Sequence, residues 1–346
     1  MSELRLLLLI ILFAGVMSAG AQEERLRVVE YNVENLFDTC HDAGADDYEF
    51  LPASARRWTQ PRYWKKLGGV ARVLAAAGGD APPDLVGLCE VENDSVVRHL
   101  CERTALRRLG YGHVVTHSRD VRGLDLALLF QPARLRLVQD EAFRVPCDEA
   151  RERPTRDVLH AAFRLSAGDT LDVLLCHWPS RRGGSVAAER YRGRVARYVR
   201  AKADSLMTVR RRPALLLMGD FNDEGTDPSV ARGLGARLAE DTVMAEPRAL
   251  YVLSHALAAP GGVRGTYKYA GRWNQFDQMV VSGTLLDGSL ALRTVPGACR
   301  IFAPPFLTEP DAAHGGVKPR RTFLGPVYKG GYSDHLPLVV DFILRH

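Results

Sequence analysis

The chain has 346 residues, of which 46% are hydrophobic and 25% are charged. These values are ordinary for a globular protein and exclude a disordered or low-complexity chain. The formal net charge of +5 at pH 7 suits an anionic partner but is too small to identify one. The six cysteines include no C-x-x-C pair, so the sequence does not predict a structural zinc site.

The first 21 residues have the pattern of a signal peptide. Leu6 to Met17 form an apolar run that is too short to span a bilayer comfortably. The run ends in SAGAQ, which contains an A-x-A cleavage site after Ala21. We therefore expect an exported chain, periplasmic or secreted, with no stable membrane insertion after cleavage. An uncleaved anchor helix is the less favoured alternative.

Strand-like and helix-like segments alternate along the mature chain. Apolar runs rich in β-branched residues predict strands, and amphipathic segments predict helices. Some neighbouring strands have links of hairpin length, so the pattern favours a mixed sheet in an α/β protein. The predicted strands are Arg25–Tyr31, PDLVGLCEVEND up to Glu90, GLDLALLF, TLDVLLCHWPS, PALLLMGDFND, NQFDQMVVS and Leu336–Phe342, and the predicted helices run from about Pro61 to Gly78, from an Asp94 cap to about Leu109, and from about Val186 to Met207.

Polar residues with catalytic potential stand at one end of nearly every predicted strand. Residues two apart in an extended chain point to the same side, so Asp220 and Asn222 are expected to face one cavity, as are Asn32 and Glu34. A sheet gathers its strand ends along an edge, which predicts one shared site. The full set is Asn32, Glu34, Glu90, Glu92, His177, Asp220, Asn222, Asp277, Asp334 and His335.

The residue types in this set indicate a class of chemistry. Carboxylate and amide oxygens suit a hard cation such as Mg²⁺. A histidine paired with a carboxylate suits activation of a water molecule. An amide and a second histidine suit stabilisation of negative charge on a pentacovalent phosphorus. Together these features predict metal-dependent phosphoester hydrolysis.

Six motifs, YNVEN, LCEVEN, CHWPSRRGG, GDFND, FDQMVVS and YSDHLPL, follow one another from Tyr31 to Leu338. In this combination and order, the chain resembles the endonuclease/exonuclease/phosphatase superfamily, whose fold is like that of deoxyribonuclease I. The resemblance implies a four-layered α/β sandwich, in which two mixed β-sheets pack face to face with helices outside. It implies one catalytic domain over residues 22–346, with Mg²⁺ as cofactor and Mn²⁺ or Ca²⁺ as alternatives.

Carried over residue by residue, the resemblance implies a metal site and a catalytic pair. Glu90 corresponds to the main metal ligand and Asn32 to its neighbour. Asp277 corresponds to the carboxylate that orients His335. Asp334 completes the metal site or lies directly behind its ligands. In this arrangement Asp334 faces the metal, and His335 faces the water or the phosphate.

The resemblance also implies how water and phosphate are held. Asp220 and Asn222 position them, and His177 contacts the phosphate. The sequence leaves open whether His335 removes a proton from water or stays protonated beside the phosphate, with Asp220 as the rival base. A mid-strand carboxylate in GLDLALLF suits either a substrate contact or a structural hydrogen bond. Three further residues are candidates for substrate binding: Asp125, Arg181 and Arg321.

The superfamily does not fix the substrate, because its members cut DNA or RNA, remove phosphates from inositol lipids, or cleave sphingomyelin. A basic, exported chain without a long apolar hairpin favours a monomeric nuclease or broad phosphodiesterase that acts on nucleic acid or another phosphodiester. The alternative is a phosphomonoesterase or a phospholipid-type phosphodiesterase for inositol phosphates or sphingomyelin. A non-catalytic binding module is less favoured, because Glu90, His177, Asp220 and His335 are all present.

Overall fold

The computed structural model describes residues 23–147, 153–181, 186–241 and 244–346. The predicted signal peptide over residues 1–21 lies outside these ranges. Within them, no helix has the length and apolar character needed to cross a membrane.

Most regular structure in the described residues is β-strand. The α-helices are α1 (Gln60–Gly78), α2 (Asp94–Arg103) and α3 (Val186–Val209). The strands are β1 (Glu23–Leu36), β2 (Leu85–Val91), β3 (Gly112–Val115), β4 (Asp125–Phe130), β5 (Leu135–Phe143), β6 (Val158–Leu165), β7 (Thr170–His177), β8 (Ala214–Asp220), β9 (Ala236–Leu238), β10 (Leu250–Val252), β11 (Tyr267–Tyr269), β12 (Arg272–Asn274), β13 (Asp277–Ser282), β14 (Leu292–Arg293), β15 (Cys299–Ile301), β16 (Thr308–Pro310), β17 (Val317–Pro319), β18 (Phe323–Leu324), β19 (Val327–Tyr328) and β20 (Leu338–Arg345).

Two seven-stranded mixed sheets form the core. The first has the order β14-β20-β1-β2-β4-β3, with β15 also paired to β20, and the second has the order β5-β6-β7-β8-β13-β10-β9. Strand β1 is parallel to β2, and β7 is parallel to β8. Strand β20 runs antiparallel to β1, and β13 runs antiparallel to β8. The prediction of mixed sheets is therefore confirmed.

Alternate side chains of the central strands face two different layers, as the two-residue period of a strand requires. In β8, Leu216 and Met218 belong to the apolar cluster that joins the two sheets. Leu215 and Leu217 belong to the cluster under α3. Helix α1 packs on β1 of the other sheet. The helices thus cover the outer faces, which confirms the predicted four-layered sandwich.

The topology brings the polar ends of six strands to one edge. Strands β1, β2, β7 and β8 point their carboxyl ends there. Strands β13 and β20 run the opposite way, so their amino ends reach the same edge. In the second sheet, His177 lies beside Asp220, and Asp220 lies beside Asp277. This topology explains why the polar residues follow four strands in the sequence but precede the other two.

Gly219, next to Asp220 at this edge, has no room for a side chain. Its φ is +133°, and a Cβ there would lie 1.9 Å from the carbonyl oxygen of Cys176 on the neighbouring strand. Gly219→Ala is therefore expected to lower the free energy of unfolding by more than about 2 kcal/mol. Gly168, with φ +91° and open space around it, is the matched control. Gly168→Ala carries only the backbone strain, about 1 kcal/mol. Urea unfolding of both variants measures the difference, and equal midpoints would contradict the proposed clash.

Two elements differ from the sequence-based expectation. The second helix is capped by Asn93, whose Oδ1 accepts the amide of Val96 at 3.0 Å, and not by Asp94. It ends at Arg103 because the hydroxyl of Thr104 starts a separate 3₁₀ turn, Ala105–Arg108. The non-periodic stretch from residue 294 to 332 contains five short strands, β15 to β19.

Candidate active site

Glu90 and Asn32 are brought together by irregularities in β1 and β2. The β1–β2 register shifts after Asn32, and the β2–β4 register shifts at Glu90, whose φ of 69° is unusual for a residue other than glycine. Bulges of this kind re-aim a side chain. Here Glu90 Oε1 lies 3.4 Å from Asn32 Nδ2, and Glu90 Oε2 accepts the amide of Asn35 at 2.8 Å.

Asp220 links the two sheets at the centre of the site. Its Oδ2 accepts a hydrogen bond from Asn32 Nδ2 at 3.0 Å. His177 Nε2 lies 3.5 Å from the same oxygen and 3.9 Å from Glu90 Oε1. The other oxygen of Asp220 accepts the amide of Asn222 at 2.8 Å. One polar residue from each of four strands therefore lines a single buried site.

His335 and Asp277 form a direct pair in the same site. His335 Nδ1 lies 2.7 Å from Asp277 Oδ2, and both residues are buried. The other ring nitrogen, Nε2, lies 3.9 Å from Asp220 Oδ2. A histidine held by a carboxylate on one nitrogen presents the other nitrogen to a reacting group in a fixed orientation.

His335 is held as an imidazolium in this environment. Burial alone would lower its pKa, but the negative charges of Asp277 and Asp220, and the hydrogen bond to Asp277, outweigh burial. Together they raise the pKa well above its usual value. The ring therefore carries a positive charge at neutral pH and can donate from Nε2.

Burial shifts the pKa values of Asp220 and His177 in opposite directions. Burial raises the pKa of Asp220 to about 7, the positive charge of His335 opposes this rise, and the negative charge of Asp277 adds a smaller increase. Asp220 can therefore exchange a proton near neutrality. Burial lowers the pKa of His177 well below its usual range, and the positive charge of Arg156 lowers it further. His177 is thus neutral.

The charge state of His335 can be tested in the metal-free protein. Its ring is expected to titrate well above the usual pKa of a histidine, and Asp277→Asn is expected to lower this pKa because the partner charge is lost. A folded-state pKa above the unfolded value stabilises the fold fully below the unfolded pKa, and this contribution disappears as pH rises through the folded pKa. An NMR titration of the histidine ring measures both values. An unchanged His335 pKa in Asp277→Asn would contradict this account.

Two residues of the site were not among the sequence-based candidates. Glu30, on β1, is fully buried, and burial, with added repulsion from Asp277 and Asp220, raises its pKa well above the usual range. Protonated Glu30 can donate a hydrogen bond to Asp277. The ring of Tyr267 lies 4.9 Å from that of His335. The available signals were an acid inside the apolar run RVVEYN and the aromatic segment TYKYAGRW just before Asp277.

Asp334 is engaged by an arginine. Arg321 Nη2 lies 2.9 Å from Asp334 Oδ2 and 3.5 Å from Glu34 Oε1. Glu34 also accepts the amide of Thr322 at 2.6 Å, and Lys66 donates to the hydroxyl of Thr322 at 2.5 Å. These contacts fasten the loop before β20 to β1 and α1. Asp334 and Arg321 are therefore paired with opposite charges inside the protein. A metal-binding role for Asp334 and a substrate-binding role for Arg321 remain predictions.

Arg181 supports the turn that follows β8. Its Nε donates to the carbonyl oxygen of Asn222 at 2.7 Å, and its Nη2 pairs with Asp223 at 2.7 Å and with Asp227. The side-chain Nδ2 of Asn222 donates to the carbonyl oxygen of Trp178 at 3.1 Å. The guanidinium thus holds the GDFND turn in place, and a phosphate contact by Arg181 remains a prediction.

Asp125 is a satisfied hydrogen-bond acceptor. Its Oδ1 accepts from the hydroxyl of Thr116 at 2.6 Å and from the amide of Ser118 at 2.8 Å. The side chain is buried. These contacts favour the structural alternative over substrate binding.

Two groups of residues in the site contain potential ligands for a divalent cation. Ligand atoms of Asp220, Asp277 and His335 lie within 4.8 Å of one another, but a protonated His335 has no nitrogen lone pair for a metal. Glu90 and Asn32 form the second set, beside Asp220. The Glu90 side chain is 15% exposed, whereas that of Asp220 is 3% exposed. A hydrated Mg²⁺ prefers one or two carboxylates with room for water, so the Glu90 side of the site fits it better.

A model of the Endonuclease/Exonuclease/phosphatase family matches residues 27–344. The chain belongs to this family. Its enzymes are hydrolases that act on phosphoesters and depend on divalent metal. A comparison with curated proteins finds no match.

Solved structures of the family share the fold. A family protein from Bacteroides thetaiotaomicron has a TM-score of 0.56 and 15% identity, covering 94% of this chain and 97% of that one. TDP2 from D. rerio, complexed with a single-strand DNA product, has a TM-score of 0.54 and 15% identity, covering 92% and 99%. A mannosyl-6-phosphatase from Bacteroides thetaiotaomicron VPI-5482 has a TM-score of 0.56 and 16% identity, covering 92% and 99%.

Proposed function

We propose that this protein is a Mg²⁺-dependent phosphodiesterase that cleaves P–O bonds by attack of an activated water molecule. One observation carries the proposal: the Glu90–Asn32 pair and the His335–Asp277 pair flank Asp220 in one buried site. The first pair supplies oxygen for a cation, and the second supplies a fixed positive donor. Asp220 between them can accept a proton.

Glu90 and Asn32 would hold the cation, with Asp334 as a further predicted ligand. When bound, a divalent cation stabilises negative charge that develops on phosphoryl oxygens. Asn32 already donates to both Glu90 and Asp220, so it fixes the separation of these two carboxylates. Glu90 is anchored by the amide of Asn35 and keeps one oxygen directed toward the site.

The protonation states support specific roles for the remaining groups. His335 is an imidazolium, so its role is to donate from Nε2 to a phosphoryl oxygen as negative charge increases. Asp220, whose pKa is about 7, is then the group that accepts the proton of the attacking water. Neutral His177 donates from Nε2 to the phosphate and leaves Asp220 free for that proton. Asn222 keeps the Asp220 carboxylate oriented through its backbone amide.

Nucleic acid is the substrate that the neighbouring surface supports best. The hairpin of β11 and β12 begins with Tyr267, which packs on His335. Further out on the hairpin, Tyr269 is 71% exposed, and the side chain of Arg272 is 77% exposed. An aromatic ring and a cation beside a catalytic site suit the stacking of a base and the binding of a phosphate in single strands. The structural similarity to TDP2 with its DNA product agrees with this choice.

A phosphomonoesterase is the second candidate, favoured by the similarity to the mannosyl-6-phosphatase. A phospholipid-type phosphodiesterase for inositol phosphates or sphingomyelin is a weaker alternative. These activities differ in the number of esters on the phosphorus. A substrate panel therefore separates them.

The test is an assay of the purified mature protein on single- and double-stranded DNA, RNA, a bis-aryl phosphodiester, mannose 6-phosphate and inositol phosphates. Each substrate is measured with EDTA and after addition of Mg²⁺, Mn²⁺ or Ca²⁺. We expect DNA and the bis-aryl ester to be cleaved only with metal. Tyr269→Ala with Arg272→Ala is expected to slow DNA cleavage and spare the small ester. Activity that is undiminished in EDTA, or restricted to monoesters, would overturn the proposal.

We also propose that the protein is exported and that its signal peptide is cleaved after Ala21. We propose that the mature protein is a monomer. The apolar run and the A-x-A site in the first 21 residues support export. N-terminal sequencing of protein from a native-like host should begin at Gln22. An intact Met1 in the cytoplasmic fraction would contradict this prediction.

A further inference from the structure

A second cleft lies at the opposite end of the second sheet from the candidate active site. Its volume is about 830 Å³, and Pro213 lines it. Strand β8 begins at the next residue, Ala214, and ends at Asp220 in the candidate active site. Seven strand residues at about 3.3 Å each place the two sites roughly 20 Å apart.

Arginine side chains dominate the lining of this cleft. Five guanidinium groups face two carboxylates, which gives the lining a formal charge of +3. The arginines come from α3, the α3–β8 loop, β9 and the segment before β10, so the fold gathers them from four parts of the chain. The charged lining residues are Arg200, Arg211, Arg212, Arg237, Arg248, Glu246 and Asp287.

Three of these arginines already have partners. Arg237 pairs with Glu246 at 2.6 Å, and Arg200 pairs with Asp204 at 2.9 Å. Arg212 donates to a backbone carbonyl oxygen at 2.8 Å. One of the two lining carboxylates is therefore already used inside the protein.

The remaining two, Arg211 and Arg248, make no side-chain hydrogen bond or ion pair with any residue of the described ranges. Both are exposed at the cleft. Holding these two unpaired guanidinium groups in one concavity beside the other arginines is unfavourable unless an anion compensates their charge. The planar fork of a guanidinium binds a phosphate through two parallel hydrogen bonds. Two such forks are thus free to bind a ligand.

We propose that this arginine cleft, defined by the seven charged residues named above, binds a compact ligand that carries several phosphate groups. The volume lies in the range of small-molecule sites, about 300–1,000 Å³. Guanidinium groups from several directions match phosphates clustered on one small scaffold better than phosphates spaced along an extended strand. The site is independent of the proposed hydrolysis, because no residue of the candidate active site lines it.

The test uses inorganic tripolyphosphate as the probe and isothermal titration calorimetry of the mature protein in EDTA, so that no divalent cation recruits the probe to the active site. The cleft variant carries Arg211→Gln and Arg248→Gln. The matched control carries Arg107→Gln and Arg108→Gln, which remove the same charge from exposed side chains that have no partner in the described residues. Orthophosphate and a single-stranded oligonucleotide serve as comparison ligands.

The cleft variant is expected to bind tripolyphosphate at least ten-fold more weakly than wild type, and the control variant is expected to bind it unchanged. Both variants should keep wild-type turnover of the bis-aryl ester and a wild-type unfolding midpoint. Equal tripolyphosphate affinity in wild type and cleft variant would overturn the proposal. An equal loss of tripolyphosphate affinity in the control variant would show that the effect depends only on net charge, which would also overturn the proposal. If the cleft variant lost affinity for the oligonucleotide but not for tripolyphosphate, the ligand of the cleft would be a nucleic-acid strand and the proposal of a compact ligand would be wrong.

Discussion

Glu90→Gln is expected to lower metal-dependent turnover by at least about 10³-fold, because stabilisation of phosphoryl charge by a bound cation contributes several kcal/mol. Glutamine keeps an oxygen that can accept the amide of Asn35, as Glu90 does at 2.8 Å, so the bulge in β2 is preserved. The substitution therefore removes the charge while leaving the local fold in place. Turnover measured across a Mg²⁺ titration, together with Mg²⁺ binding by calorimetry, checks the prediction.

Glu92→Gln is the matched control for this substitution. Glu92 is buried two residues further along the chain and accepts the amide of Asp38 at 2.6 Å. Burial raises its pKa to about 8, so at pH 7 it is largely uncharged and glutamine resembles it closely. Near-wild-type turnover in Glu92→Gln is therefore expected. Equal losses in both variants would show that the Glu90 effect is structural, and full activity of Glu90→Gln would eliminate Glu90 as the metal ligand.

The arrangement of strand ends could be predicted from the sequence because it follows from local patterns. Apolar runs that end in His177 or Asp220 and begin after Asp277 or His335 mark which end of each strand is polar. The pairing of parallel and antiparallel strands then brings those ends together without further information. The mixed sheet and its common edge were predictable for this reason, whereas the four-layered sandwich was implied by the resemblance to the family.

The local geometry of Glu90 could not be predicted in the same way. Its orientation depends on a bulge with φ 69° and on contact with the amide of Asn35 across the sheet. Nothing in the motif LCEVEN distinguishes a regular strand end from a bulged one, because a bulge is fixed by pairing between strands distant in sequence.

The partners of Asp334 could not be predicted from the sequence either, because they come from segments distant in the chain. Arg321 reaches Asp334 and Glu34 through the loop before β20, which has no periodicity in the sequence. Lys66 appears in the sequence as one more charge on an amphipathic helix, yet it is buried against Thr322. The conformation of the loop determines which side chains form these pairs, and local residue patterns do not predict that conformation.

Asp277→Asn and His335→Ala are each expected to lower turnover by about 10²–10⁴-fold, the usual contribution of a positioned acid or base. Asparagine cannot supply the negative charge that raises the pKa of His335. In Asp277→Asn the pKa of the ring is therefore lower, and the activity that remains should have its optimum at lower pH. Turnover across pH, measured beside thermal unfolding of the same variants, checks both expectations.

The buried pair of His160 and Asp172 provides the matched control. These residues lie 3.0 Å apart, and Asp172 is near the start of β7, five residues before His177 and away from the catalytic edge. Asp172→Asn should lower the unfolding temperature and leave turnover close to wild type. If Asp277→Asn behaved in the same way, Asp277 would have a structural role only.

The decisive measurement is the double variant Asp277→Asn/His335→Ala. In the proposed mechanism Asp277 acts through His335, since its Oδ2 lies 2.7 Å from the ring Nδ1, while Nε2 lies 3.9 Å from Asp220 Oδ2. Once the imidazole is gone, the carboxylate has nothing left to orient or charge. The double variant should therefore be little worse than the more damaged single variant, because residues that act as a unit are non-additive. Losses that multiply would mean that Asp277 has a second, independent role, for which its position among the oxygen donors around Asp220 offers metal binding as the physical reason.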